Sequence, residues 1–282
     1  MPADGLFCRD VGDGPPIVVL HGGPDFDHAY LLPELDRLTS SFRLIYYDQR
    51  GRGRSAEGVR PEDVTIQSEV DDLDRVRSHH GLESVAVLGH SWGGVLAMEY
   101  ALRHPDRTSH LILLDTAPAS AGDWQDLQQE FARRRPAADT EAMQAIAGTE
   151  AYARGNLEAE AAYYRIHFAM TLKPPDLLEV LVARLRSNFT AAGVLLARAI
   201  EERLYDETSR SPKWDLFPGL RELEVPTLLL HGSHDFIPVE LAARIADAVP
   251  GARMTVLSGL GHFSFLEAPE RVHEEIASLL VP

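Results

Sequence analysis

Val85-Ala86-Val87-Leu88-Gly89-His90-Ser91-Trp92-Gly93-Gly94 is an apolar run that halts at a glycine, presents one hydroxyl and passes through two more glycines into an apolar helical stretch, residues 95–102. The pattern reads as a nucleophile elbow, a strand that delivers Ser91 into a turn too tight for a relaxed backbone, with glycines where a side chain would collide with neighbouring elements. The helix that follows aims its unpaired N–H groups and positive dipole end at the same point, so a hydroxyl nucleophile and an anion site are built together. A Gly/Ser turn alone is common; the β-branched run before it and the apolar helix after it favour the functional reading.

Working outward toward the N-terminus, residues 6–11 alternate as a short edge strand, and Gly12–Pro16 turns them into Ile17-Val18-Val19-Leu20, apolar on both faces and hence buried. Little chain precedes the edge strand, and an additional strand there is not expected. The buried strand ends at His21-Gly22-Gly23-Pro24, a backbone able to approach a substrate closely. Opposite an elbow, such a loop supplies a second oxyanion N–H, so Gly23 is nominated beside the N–H of Trp92. A helix over residues 29–38 and a strand over 42–48 follow, and Gln49-Arg50-Gly51-Arg52-Gly53-Arg54-Ser55 lacks the spacing and Lys of a phosphate-binding loop. Residues 65–80 carry Ile66, Val70, Leu73 and Val76 on one helical stripe, with His79 and His80 complementing the helix C-terminus.

Toward the C-terminus, residues 111–115 form another buried strand. The texture then changes over about residues 118–215, where helical stretches at 124–135, 158–170, 176–185 and 193–204 replace the strands. We expect a core domain of residues 1–117 and 216–282 with a helical cap, 118–215, inserted over the strand ends; Tyr163, Tyr164, His167 and Phe168 either line a pocket there or form the cap's own core. The parallel pattern resumes with a strand over 225–232, a helix over 239–249, a strand over 254–257 and a closing helix over 269–280. Strands alternating with helices predict an α/β fold, a mostly parallel sheet with helices on both faces.

At 282 residues and 45% hydrophobic the chain can bury one large core. One cysteine, Cys8, excludes an internal disulfide, and residues 1–5 hold neither a basic region nor an apolar stretch for export. No apolar segment approaches bilayer length, so a cytoplasmic protein is expected, and a formal charge of −16 argues against nucleic acid or anionic membrane as partner. A small molecule or short peptide is the expected partner.

A serine hydroxyl needs a base, and the base needs an acid to fix its tautomer. Of twelve histidines, His262 follows the last strand on a glycine-bounded loop; Asp235 follows the preceding strand, with Asp115 in reserve. The order Ser91, Asp235, His262 is that of an α/β-hydrolase triad. His90 is read as a packing residue facing away from the hydroxyl. His231-Gly232-Ser233-His234-Asp235 offers a competing metal constellation, but it falls on a strand end and loop without a distant further ligand, so no metal or other cofactor is expected.

His21-Gly22-Gly23-Pro24, His28-Ala29-Tyr30-Leu31-Leu32, Asp48-Gln49-Arg50-Gly51-Arg52-Gly53-Arg54-Ser55 and the elbow resemble the prolyl iminopeptidase branch of the α/β-hydrolases. The resemblance covers the N-terminal third and C-terminal quarter well and the cap poorly. It implies release of an N-terminal residue, often proline, from short peptides, with acidic cap residues holding the free amine. Residues 156–164 look like the family's first acidic cap helix, which makes Glu160 the implied amine ligand, with Glu202 second. The family motif usually continues H-G-G-P-G; here Asp25 replaces that glycine and brings a carboxylate toward the pocket mouth. An esterase or lactonase indifferent to cap acids, and a ligand receptor with a vestigial triad, are the alternative functions. Elbow aspartate chemistry, as in epoxide hydrolases and haloalkane dehalogenases, is disfavoured by Ser91.

Overall fold

The structure is a computed structural model describing residues 5–172 and 174–280; the N-terminal segment 1–4, on which part of the export reading falls, lies outside the described residues. Seven strands, β1 (Cys8–Val11), β2 (Pro16–Leu20), β3 (Arg43–Tyr47), β4 (Val85–His90), β5 (Thr108–Leu114), β6 (Thr227–Gly232) and β7 (Arg253–Leu257), form one sheet in the order β1-β3-β2-β4-β5-β6-β7. Only β1 runs antiparallel, against β3. After β3 the chain crosses back over β2 to lay down β4, so the winding reverses between β2 and β4. Loops leaving adjacent strands part at such a reversal and open a crevice at the strands' C-terminal ends.

Strand side chains alternate between two cores. Val19, Tyr46, Leu88, Ile112 and Leu230 belong to one; Leu20, Tyr47, Val87, Leu113 and Leu229 to the other. The second face is covered by α1 (Ile66–His79) and α2 (Trp92–Arg103), and α1 begins where Thr65 and Ser68 form a reciprocal capping box. Between β5 and β6 the described chain is helical: α3 (Ala121–Arg134), α4 (Ala137–Ala147), α5 (Glu150–Ala153), α6 (Leu157–Phe168), α7 (Asp176–Leu185), α8 (Ala191–Glu207) and the short α9 (Phe217–Leu220). Tyr164 and Phe168 of α6 and Leu181, Val182 and Leu185 of α7 join the first core, while Phe189 with Val194 and Ala197 of α8 forms a small cluster of its own. α10 (Val239–Ala248), α11 (Ser264–Glu267) and α12 (Pro269–Leu280) complete the chain. No helix among the described residues is long and apolar enough to cross a membrane.

The expected helix over 29–38 is corrected: the chain forms two 3-10 turns, His28–Leu31 and Glu34–Ser40. Pro33 lacks the donor a continuous helix requires and holds Leu32 extended, at φ −101° and ψ 151°. The stretch expected over 124–135 starts at Ala121, because the Ser120 side chain accepts from the Asp123 N–H, and α4 and α5 were not anticipated.

Candidate active site

Ser91 stands at the junction of β4 and α2 with φ 54° and ψ −119°, a left-handed backbone rare for a residue with a side chain. Its N–H donates to Leu114 O and its own carbonyl accepts from Gly94 and Ala117, which clamps the strained turn from both sides. A Cβ at Gly89 would meet Gly93 O at 2.2 Å, and one at Gly93 would meet Leu20 O at 2.4 Å, so strand and helix can approach only with glycine at both positions. Ser91 is the N-cap residue of α2, yet its hydroxyl makes no capping bond. It is held instead 3.0 Å from His262 Nε2.

The other face of that imidazole meets Asp235, with Nδ1 2.9 Å from Oδ2 and 3.0 Å from Oδ1. Asp235 Oδ1 also accepts from the Ile237 N–H at 2.9 Å. Burial pushes the His262 imidazole down to about 3, so the ring is neutral at rest and offers Nε2 a lone pair. Burial likewise raises Asp235, to about 7, against the lowering effects of His231 and the N–H donors at Ile237 and Phe236. Hydroxyl, imidazole and carboxylate, nominated from three distant segments, are thus contiguous.

Gly23, at φ 119°, and Trp92 flank Ser91 on the wall of a cavity of about 640 Å³ that also exposes His262. A chain of hydrogen bonds ties the two loops together behind the site. The Gly22 N–H donates to the Tyr30 hydroxyl (2.8 Å), which contacts His90 Nδ1 (2.7 Å), while His90 Nε2 lies 2.9 Å from the His262 carbonyl. Burial pushes His90 well below the ordinary histidine range, so with Tyr30 donating to Nδ1 its Nε2–H donates to His262 O. His90 is buried and also braces the loop that carries His262.

The reserve acid Asp115 does not meet His262. Its Oδ1 accepts from the Gly232 N–H (2.9 Å) and its Oδ2 from the Ser264 hydroxyl (2.6 Å) and N–H (3.1 Å), so it fastens the end of β6 to the His262 loop. His234, part of the competing metal constellation, is exposed and bonds Ser233, while Asp115, His231 and Asp235 do cluster. The two carboxylates of that cluster are already occupied by N–H and O–H donors.

The cap acids require the main correction. Glu160 is buried and is not among the residues lining the cavity. Its oxygens are taken by Arg186, whose Nε lies 3.1 Å away, and by Arg198. Arg186 also donates to Asp25 and to the Tyr164 hydroxyl, the latter at 2.7 Å. Asp25 does reach the cavity wall, but with its carboxylate paired to Arg186 and accepting from Tyr164 at 3.1 Å. Glu202 reaches the wall too and pairs outward with Arg210 at 2.6 Å. The acid the sequence reading missed is Glu201, on the cavity wall beside Tyr205, pushed well above the ordinary carboxylate range by burial and the Asp25 charge, and in no ion pair among the described residues. Glu201 and Glu202 are neighbours on one helix, about 100° apart, and only the spacing of Glu201 from Ala197, Ile200 and Leu204, the buried face of α8, carried any signal.

Residues 15–269 match the family model described as the alpha/beta hydrolase fold, and the chain belongs to that family. Among its curated relatives is a proline iminopeptidase of Lactobacillus delbrueckii subsp. lactis, 28% identical over 98% of this chain and 94% of the relative. Another, from Lactobacillus helveticus, is 31% identical over 93% of this chain and 89% of its own length. Among solved structures, the crystal structure of VinJ superposes with a TM-score of 0.74 at 26% identity, covering 98% of this chain and 94% of that one.

Proposed function

We propose that this chain is a serine hydrolase that works through an acyl-enzyme, and specifically an aminopeptidase of the prolyl iminopeptidase type acting on short peptides. The observation that carries the reading is His262 on the cavity wall with Ser91, its imidazole within hydrogen-bond distance of that hydroxyl on one side and of Asp235 behind it on the other. Ser91 Oγ attacks the scissile carbonyl carbon while its proton passes to His262 Nε2. The carbonyl oxygen, now an anion, is met by the N–H groups of Gly23 and Trp92. The C–N bond then breaks, His262 returns the proton to the leaving amine, and a water deprotonated by His262 attacks the ester and frees the acid and the Ser91 hydroxyl. Asp235 holds Nδ1–H and balances the imidazolium in each half-reaction.

The aminopeptidase assignment rests on the proline iminopeptidase relatives together with Glu201. Burial and the Asp25 charge disfavour the ionised form of Glu201, and a substrate ammonium seated beside it would favour that form by direct pairing. The helices over 118–215 act in this reading as the cap, closing the cavity over Ser91. The test is turnover of proline and alanine 4-nitroanilides, with free and acetylated amines, beside short acyl esters and lactones. Hydrolysis of the free amines with loss on acetylation supports the aminopeptidase. Indifference to acetylation favours the esterase or lactonase, and silence on every substrate favours a receptor.

A further inference from the structure

On the same cavity wall stands Arg135, immediately after the C-terminus of α3. Its guanidinium lies 3.9 Å over the Phe131 ring, and its Nη2 sits 3.3 Å from His167 Nδ1. It forms no ion pair among the described residues, and its buried Nε has no hydrogen-bond partner. The neighbouring Arg186 and Arg198, by contrast, are matched to Asp25 and Glu160. Burial pushes Arg135 below its ordinary value, opposed by Tyr163 and Asp139, while His167 is held neutral, pushed to about 3 by burial and by the Arg135 charge itself. Half-buried, with only His167 Nδ1 and, at 3.5 Å, the His167 carbonyl as acceptors, this guanidinium keeps a charge and donors that an anionic group in the cavity would answer.

Its position says which part of a substrate that is. The leaving group must lie over His262 Nε2 to receive a proton, so it occupies the His262 side of the cavity. From His262 the wall runs through the Phe236 ring, 4.4 Å away centroid to centroid, to Phe131, 5.2 Å further on, and thence to Arg135. Glu201 lies beside Tyr205, whose ring contacts Trp92, the residue next to Ser91, at 5.6 Å. We infer that Arg135 binds a carboxylate on the leaving group, so that the preferred substrates are those whose leaving portion is short and ends in a free carboxylate, as in a di- or tripeptide. The inference rests on the serine-hydrolase reading above for the direction of the leaving group, and it stands whether the scissile bond is an amide or an ester.

Two substrate pairs differing only in that carboxylate test it: Pro-Gly against Pro-Gly amide, and 4-(butyryloxy)benzoate against phenyl butyrate. The free acid is expected to have the higher kcat/KM by about 10-fold or more, the scale of a charge-assisted hydrogen-bonded pair. Arg135→Gln brings that ratio to near one, and Arg135→Lys, which keeps the charge, retains most of it. An absent preference in the wild type, or one that survives Arg135→Gln, overturns the inference. Cleavage of the esters without the peptides sinks the aminopeptidase reading instead, and the ester ratio then decides the role of Arg135. If neither pair is turned over, the calorimetric affinity of 4-hydroxybenzoate relative to phenol, in wild type and Arg135→Gln, decides it by the same criterion.

Discussion

At the scale of single residues, the proposed chemistry depends on a proton inventory. The His262–Asp235 pair acts as a base only without its extra proton, and burial has raised Asp235 to about 7. The sign follows directly: below that value the pair gains a proton and Ser91 loses its acceptor, while above it the carboxylate and neutral imidazole are both in place. We expect kcat/KM to fall as pH drops through about 7, with an apparent constant belonging to the pair, and Asp235→Asn to abolish that limb. A profile flat from pH 5 to 8 would contradict this. Replacement of Ser91 by Ala should leave about 10³- to 10⁴-fold acceleration over water, from the oxyanion donors and binding. The two cap acids should separate: Glu201→Gln raises KM for free-amine substrates and spares acetylated or ester ones, whereas Glu160→Gln acts on stability.

At the scale of elements, the site is the meeting of five loops at one sheet edge, and each junction has a local cause. The elbow needs both its glycines, because the nearest obstacles to a Cβ are backbone atoms that cannot swing aside. Gly93→Ala should therefore yield little folded protein, or a displaced elbow with no activity, by circular dichroism and turnover; a folded, active variant would refute the packing argument. The capping box of α1 is a milder case, and Thr65→Ala should cost about 1 kcal/mol in urea unfolding without altering kcat. The elbow, the loops that carry Asp235 and His262, and the strands were readable because each is a short segment whose own residues dictate it: β-branched runs, glycine stops, a histidine on a glycine loop. The helices between β5 and β6 were readable in kind, but their faces were not. Glu160 follows a helix start that looks like an amine-binding segment, yet whether an acid turns to the cavity or into a cluster of arginines is settled by Arg186 and Arg198, 26 and 38 residues further along the chain. Pro33 is the opposite case, a local signal able to end a helix that periodicity alone carried straight through.

At the scale of the whole molecule, one buried ionic cluster joins the covering helices to the β2 loop. Asp25 lies next to the cis Gly23–Pro24 turn, Glu160 on α6, Arg198 on α8, and Arg186 just past α7; together they bridge four segments. Removing one charge leaves the others unmatched in the interior, so Glu160→Gln should destabilise the protein by about 3 kcal/mol in denaturant unfolding. An effect near zero would mean that the arginines relax to solvent. The cluster also explains how a pocket lined by several acids keeps only Glu201 outside an ion pair among the described residues, while Arg135 on the same wall has no carboxylate partner among them. The parallel sheet brings Ser91, Asp235 and His262 to the reversal between β2 and β4 and the loops that follow it; in the proposed reading the covering helices determine what is admitted.

The most direct measurement of the central claim is covalent capture of the nucleophile. The intact protein, treated with a fluorophosphonate, is weighed by mass spectrometry and the modified peptide sequenced, in the wild type and in Ser91→Ala, His262→Ala and Asp235→Asn. The account predicts one adduct, on Ser91, formed rapidly in the wild type, absent in Ser91→Ala and markedly slowed in the other two. An adduct on another residue, or labelling of Ser91 at an unchanged rate without His262, would contradict it.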